Sequence, residues 1–555
     1  MKLCFGSVIG FFIFTVIPNF VLAQIPTSVE KMSVDQKVGQ LFLIGFPQQR
    51  VDSQLESFIK KYKISSFILF KRNISSLSQV AKMNSQLQML ATSTTQTMPI
   101  IAVDQEGGQV ARVPTRPPIP NAMSIGQTQD KDLALGLGQE IAKVIRTLGF
   151  NMNLAPVLDI SSPESESFIG QRSFGSDADQ VSSIGYSVSK GLLDEIVIPT
   201  AKHFPGVGSV SEDPHKKQVE SKVPEQAFYE RDLKPFIEFA KLGSNTAIML
   251  SHLTYPALDD TNTPATLSSQ IIKGILRDKI GFTGLVMTDD IQMKGLTTTG
   301  NPHDTALLAL KAGADVIMMT WSFKNQAKAI ERVKEAVVSG ELTENELNEK
   351  VTRILNVKEF LHKHTPKLGE IKNPKVVALS TKKLREIEAR ILDFNVTVAL
   401  RKSTERPTER TPTADTVTTT ESTVCVFSPN SYFITSFKSA AVKYSAVKTT
   451  STTKTFMMTD YMKKKSCNYG VYVVHGPKTA TLLEKMPIQL SRKLLIVNLS
   501  APSLITDSAK FLNVVNLYFP HPDAGKKIAE NLRALARPSS LGEVAHSNND
   551  TQTPN

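Results

Sequence analysis

Cysteine is scarce in this chain: Cys4, Cys425 and Cys467 are the only three among 555 residues. They form no Cys/His spacing of a zinc or iron–sulfur module, so metal hydrolysis finds no support in them. A GxxxxGK[ST] loop and a G-x-S-x-G elbow are both missing, which removes the usual signals of phosphoryl transfer and of serine acyl transfer. HGPKTAT, residues 475–481, lacks the leading glycine of a phosphate loop. Beyond the amino terminus no apolar run reaches the ~20 residues of a membrane span. The formal net charge of +12 would draw the protein toward polyanions such as envelope polymers or nucleic acid. No nucleic-acid motif accompanies that charge, and no nucleic-acid partner is expected.

What is present describes a globular chain: 41% hydrophobic and 21% charged residues supply material for real cores. The length of 555 residues exceeds one ordinary domain, although a β/α barrel uses ~250 residues by itself. Lys2 precedes the apolar stretch GSVIGFFIFTVIPNFVLA, which ends in the small residue Ala23. A charged start, an apolar stretch and a small residue for cleavage predict a secretory signal over residues 1–23. Pro18 and Asn19 interrupt the run and speak against a retained anchor. The mature protein is therefore expected to be exported, periplasmic or extracellular and cell-wall associated, with no stable membrane span. Export would permit a disulfide between Cys425 and Cys467; two free thiols are the alternative.

Apolar segments followed by helical patterns recur from residue 30 onward. Strands are expected at 38–46, 65–70, 99–104, 150–157, 197–202, 245–252, 284–289 and 315–321, separated by amphipathic stretches such as DLALGLGQEIAKVIRTLGF. Strands alternating with helices predict an α/β fold, a (β/α)8 TIM-type barrel over residues 24–365, with an open doubly wound sheet as the competing architecture. HKHTPKLGEIKNPK reads as a linker. A second, smaller α/β sandwich domain is expected over 366–540, with strands in FNVTVALRK, TVCVFSP, YGVYVVHGP, KLLIVNLSA and NVVNLYFPH and helices in STKKLREIEARILDF and DAGKKIAENLRALAR. The Thr-rich stretches ERPTERTPTADTVTTTEST and KTTSTTKT read as loops, and 541–555 as a disordered tail.

A barrel gathers its chemistry at the carboxyl ends of its strands. There the sequence places Asp104-Gln105-Glu106-Gly107-Gly108, Asp159, Lys202-His203, Ser251-His252 and Thr288-Asp289-Asp290. Beyond the fifth strand, KHFPGVGSVSEDPH carries Asp213 and His215 on a segment broken by glycine and proline. One such carboxylate could be a helix N-cap; several converging polar strand ends call for another account. Glycoside hydrolysis needs a carboxylate to meet an oxocarbenium-like centre and a separate acid for the leaving oxygen. Asp289 fits the first role, with its neighbour Asp290 as rival. His215, oriented by Asp213, fits the second.

The stretches AVDQEGGQVAR, NMNLAPVLDI, IGQRSFG, KHFPGVG with its downstream DPH, MLSHLTYPALD, TPATLS and GFTGLVMTDDIQMKG resemble, in order and spacing, those of bacterial family 3 β-N-acetylglucosaminidases. The resemblance covers about residues 30 to 362. It implies a barrel with Asp289 as nucleophile and His215 as general acid and then base, paired with Asp213. It implies Asp104, Arg112, Arg172, Lys202 and His203 as binders of sugar hydroxyls, and neither metal nor cofactor. Val207 stands where many members carry a second His, and Gln109 where an Arg is common. The function implied is a retaining exo-β-N-acetylglucosaminidase acting on peptidoglycan-derived muropeptides, N-acetylglucosamine-containing cell-wall fragments. A β-glucosidase or chito-oligosaccharide hexosaminidase of the same family is the alternative, and a catalytically silent wall-binding protein is a reading of another class.

Overall fold

A computed structural model describes residues 29–116, 118–161, 167–212, 217–296 and 301–364 without interruption. Beyond these it describes 382–405, 423–428, 446–450, 469–474, 494–498, 513–517, 523–535 and the single residues Ile434, Phe437 and Lys465. The expected signal at 1–23, residues 365–375 of the expected linker, the tail, Cys467, Asp213 and His215 lie outside the described residues, whereas the linker stretch's first residues, His362–His364, end the helix Glu344–His364.

Eight parallel strands close a barrel: β1 (Phe42–Ile44), β2 (Ser66–Leu69), β3 (Ile100–Val103), β6 (Met152–Asn153), β7 (Ile198–Phe204), β8 (Ala247–Leu250), β9 (Leu285–Asp290) and β10 (Val316–Met319), with β10 paired back onto β1. A two-stranded hairpin, β4 (Gln105–Gly107) and β5 (Val110–Ala111), stands on the end of β3. Each expected barrel strand is found, and closure excludes the open sheet. The first strand is shorter than expected because Ser33 and Gln36 form a capping box that starts a helix over Val34–Gln40, so residues 38–40 are helical.

Helices cover the barrel wall with one apolar face each. In Lys131–Thr147, capped by Asp130, the buried side chains include Leu133, Leu137, Ile141, Val144 and Ile145, which recur at helical spacing. Burying each is worth about 1.5–3 kcal/mol. The neighbouring helix Ala178–Asp194 approaches so closely that a Cβ on Gly138 would lie 2.2 Å from the Val188 carbonyl oxygen.

A second sheet of five parallel strands follows, β11 (Thr423–Phe427), β12 (Ala446–Thr450), β13 (Tyr469–Val474), β14 (Leu494–Asn498) and β15 (Asn513–Asn516), in the order β12-β11-β13-β14-β15. FNVTVALRK, expected as a strand, is instead helical as part of Lys382–Glu405. The run 382–405 contains neither glycine nor proline, so the helix begun by KKLREIEARILDF meets no breaker before Pro407. The strand β12 was not expected, and residues 448–450 of KTTSTTKT belong to it rather than to a loop. The helix Lys382–Glu405 joins the two halves: Arg390 Nη2 lies 2.8 Å from Asp130 Oδ2 on the barrel side, and Asp393 lies 2.7 Å from Lys527 Nζ on the helix Ala524–Leu535. Among the described residues no helix is long and apolar enough to cross a membrane.

Candidate active site

The barrel mouth is built from strand ends that lie far apart in sequence. β3 delivers Asp104 and passes into the β4/β5 hairpin, which carries Glu106. The hairpin needs its glycines: Gly107 has φ +101°, and a Cβ there would lie 2.1 Å from the Pro120 carbonyl oxygen. β7 delivers Lys202 and His203 through a bulge, where Lys202 pairs Met249 and Phe204 pairs Leu250, leaving His203 out of register. The Lys202–His203 and Phe204–Pro205 peptide bonds are cis.

Five of these side chains form one charged cluster. Lys202 Nζ lies 2.7 Å from Glu106 Oε1 and 3.0 Å from Asp104 Oδ1. Arg172 donates to both Glu106 oxygens at 2.8 Å, a bidentate pair, and Arg112 Nη2 stands 3.5 Å from Asp104 Oδ2. Burial pushes the Glu106 carboxyl up, but Arg172 and Lys202 outweigh it and hold the group well below the usual carboxylate range. Burial likewise opposes the charge on Lys202, and Glu106 with Asp104 overrides it, so the ammonium is held above its ordinary value. Three cations thus face two carboxylates. The Nε of Arg112 is buried and has no acceptor among the described residues.

His203 is oriented separately. Its Nδ1 lies 2.7 Å from Asp159 Oδ2, and Asp159 also accepts from the backbone N–H of Val207 at 2.9 Å. Asp159 is fully buried, so this contact fixes the orientation of the imidazole ring. At Val207 the backbone makes the contact while the side chain is buried in the core.

Across the mouth, β9 ends in Thr288, Asp289 and Asp290. In the strand order, β9 lies four steps from β3 in either direction, so Asp289 and Asp104 rise from opposite walls. The two neighbouring aspartates differ. Asp290 is buried, accepts from Thr320 Oγ1 and from the backbone N–H of Gln292 at 3.1 Å, and is pushed up to about 6 by burial against those bonds. Asp289 is only half-buried and accepts the Asp290 N–H at 2.7 Å. His252 holds this strand end, with Nε2 3.1 Å from the Asp290 carbonyl oxygen and Nδ1 2.7 Å from Thr266 Oγ1.

Of the expected site residues, Asp104, Arg112, Arg172 and Lys202 come together in the cluster, with His203 beside them on β7 and Asp289 opposite. Glu106 and Asp159 had no role assigned from sequence, yet they fix the arginine, the lysine and the histidine. The alternation of charge in Asp104-Gln105-Glu106 was the available signal for the first. Among the described residues no group of three His, Cys, Asp or Glu side chains is arranged to hold a metal ion. Chemically, such a mouth can grip the hydroxyls of one sugar ring with charged donors and acceptors and present a carboxylate to its other side.

Residues 33–357 match the family described as the glycosyl hydrolase family 3 N terminal domain. "Beta-hexosaminidase A" of Pseudoalteromonas piscicida is 30% identical over 338 residues, which is 57% of this chain and 56% of that protein. "Beta-hexosaminidase" of Idiomarina loihiensis is 31% identical over 299 residues, 53% of this chain and 85% of that protein. The chain thus spans just over half the length of the first of these relatives and most of the second. Among solved structures, a glycoside hydrolase family 3 beta-N-acetylglucosaminidase from Paenibacillus sp. str. FPU-7 superposes with a TM-score of 0.77 at 26% identity, over 92% of this chain and 99% of that one.

Proposed function

Because the chain belongs to glycosyl hydrolase family 3, we propose that it is an exported, retaining exo-β-N-acetylglucosaminidase that releases terminal N-acetylglucosamine from peptidoglycan-derived fragments. The observation that carries this reading is the opposition across the mouth of Asp289 on β9 and the Asp104–Lys202–Glu106–Arg172 cluster on the far side. The hexosaminidase names of relatives near 30% identity support the acetamido sugar as substrate.

In this mechanism Asp104, Lys202, Arg112 and His203 hold the hydroxyls of the terminal sugar. The Asp289 carboxylate attacks the anomeric carbon as the bond to the leaving oxygen breaks, and that oxygen takes a proton from His215. His215, paired with Asp213, then removes a proton from water. The resulting hydroxide displaces Asp289, which frees the sugar and restores both groups. Asp290 is the less suited of the two to the nucleophile's part, since its carboxyl is buried and already engaged by Thr320 and the Gln292 N–H, whereas Asp289 is half-buried at the mouth.

The test is hydrolysis of a chromogenic β-N-acetylglucosaminide beside the matching β-glucoside, by the mature chain and by Asp289→Asn. Selective release from the acetamido sugar, reduced by about 10³-fold or more in the variant, is expected. No release from either sugar would replace this reading with that of a wall-binding protein. Release of N-acetylglucosamine from muropeptides faster than from chito-oligosaccharides, followed by mass spectrometry, tests the natural substrate.

A further inference from the structure

Resting on that reading, we propose that the open face of Trp321, backed by Arg72, is the platform on which the leaving-group sugar stacks. Trp321 is the only tryptophan in the chain, and it is 55% exposed. It stands two residues beyond β10, on the rim next to β9 and its Asp289. An indole left half in water is a costly placement for so large an apolar group, and this one is held firmly in place.

Its setting is rigid on one side only. The Arg72 guanidinium lies 4.0 Å from the centre of the Trp321 ring and 4.4 Å from that of Phe70, sandwiched between them. Arg72 Nη2 donates to the Thr320 carbonyl oxygen at 2.9 Å and Nε to the Phe46 carbonyl oxygen at 3.2 Å, so the arginine spans the ends of β2, β1 and β10. The Trp321 backbone N–H donates to Gln292 Oε1 at 2.9 Å, which ties the residue to the segment just after Asp290. Arg72 covers one ring face, and Trp321 is still 55% exposed.

Depth assigns the occupant. The sugar-gripping groups lie at the bottom of the mouth, Lys202 being 3% exposed and Asp104 8%. An exo-acting enzyme holds the terminal sugar there, so the part of the ligand that reaches the rim is the leaving group. The apolar face of a pyranose stacks on indole, and stacking tolerates varied substituents, which suits an aglycone bearing a side chain.

The experiment compares N,N′-diacetylchitobiose, whose leaving group is a sugar, with N-acetyl-β-glucosaminyl fluoride, whose leaving group has no ring. In Trp321→Ala, kcat/KM on the disaccharide should fall about tenfold, as expected for loss of one aromatic stacking contact, while the fluoride changes less than about twofold. Trp321→Phe should recover most of the loss. In the Asp289→Asn chain, which retains the disaccharide, Trp321 emission should shift on titration with chitobiose and saturate. Equal losses on both substrates, no loss on either, or an unresponsive emission at saturating disaccharide would overturn the platform. A wild-type chain that hydrolyses neither substrate would overturn the proposed reaction instead, and the emission titration would then decide the platform alone.

Discussion

Two buried lysines sit at opposite ends of the same barrel. Lys202, at the mouth, is held above its ordinary value because Glu106 and Asp104 override the effect of burial. Lys358, on the helix Glu344–His364, lies at the floor, where Gln40 and Ser65 precede β1 and β2. Among the described residues its Nζ meets only neutral acceptors, Gln40 Oε1 at 2.7 Å, Ser65 Oγ at 2.6 Å and the Ser65 carbonyl oxygen at 3.2 Å, and burial pulls it down to about 7. Elsewhere away from the mouth the pattern repeats: burial lowers Lys350 to about 8 and raises Glu388, whose two oxygens have no hydrogen-bond partner among the described residues, to about 8. At the mouth, buried charge is kept by supplying counter-charge. At the floor it is relinquished, as the desolvation cost of an unmatched ion requires.

The comparison breaks most severely at Lys202→Met. That change strands Glu106 and Asp104 with Arg172 and Arg112 as their remaining partners, and loss of one member of a buried ion cluster costs about 3–5 kcal/mol. Turnover of the acetamido substrate should fall by at least about 10²-fold, because the change also removes a donor to the sugar. Chemical denaturation and steady-state kinetics check both outcomes. Unchanged stability would show that the cluster does not depend on its lysine.

The same contrast explains what could be read from the sequence. Barrel strands announce themselves as short apolar runs, since burial on both faces is a local property of composition. FNVTVALRK misled because its β-branched residues argue for a strand while the helix preceding it has nothing to stop it. AVKTT carries too little apolar character to mark β12, which lies at the edge of its sheet. The motif residues Asp104, Lys202, His203 and Asp289 were legible as polar groups at strand ends. Glu106 and Asp159 were not legible as partners, because their contacts with Arg172 and His203 cross 66 and 44 residues of sequence. Lys358 gave no signal at all: a lysine in a helical pattern reads as a solvated face until the fold buries it.

Lys358→Met is the complementary change, and its effect should be smaller and of opposite sign. Replacing an unmatched buried ammonium by an apolar chain of similar length should raise stability by about 1–2 kcal/mol below pH 7, moderated by the hydrogen bonds that Gln40 and Ser65 lose. The gain must depend on pH. With a folded value of about 7 and an unfolded value near ~10.4, the wild-type folded state binds fewer protons than the unfolded state between them, so wild-type stability rises over that window. The advantage of the variant should therefore be largest below pH 7, shrink as pH climbs and reverse before pH 10. A difference that stays constant across that range would place a matched, permanently charged lysine at the floor.

Asp290 sharpens the comparison from within the mouth, where it is the exception. Its carboxyl has hydroxyl and backbone donors but, among the described residues, no cation in hydrogen-bond contact, and like the floor groups it shifts toward neutrality, to about 6. Here the folded state binds more protons than the unfolded state between about pH 4 and 6, so the contribution of Asp290 is complete below about 4 and lost as pH rises through 6. Asp290→Asn keeps an acceptor for Thr320 and for the Gln292 N–H while removing the titration. Its stability relative to wild type should improve by up to about 2 kcal/mol as pH rises from 4 to 7. Turnover by the half-buried Asp289 next to it should change by less than about tenfold, against the far larger loss expected of Asp289→Asn. A loss in Asp290→Asn that matched that of Asp289→Asn would move the nucleophile's role to Asp290, and with it the rule that working charges in this mouth are the ones given partners.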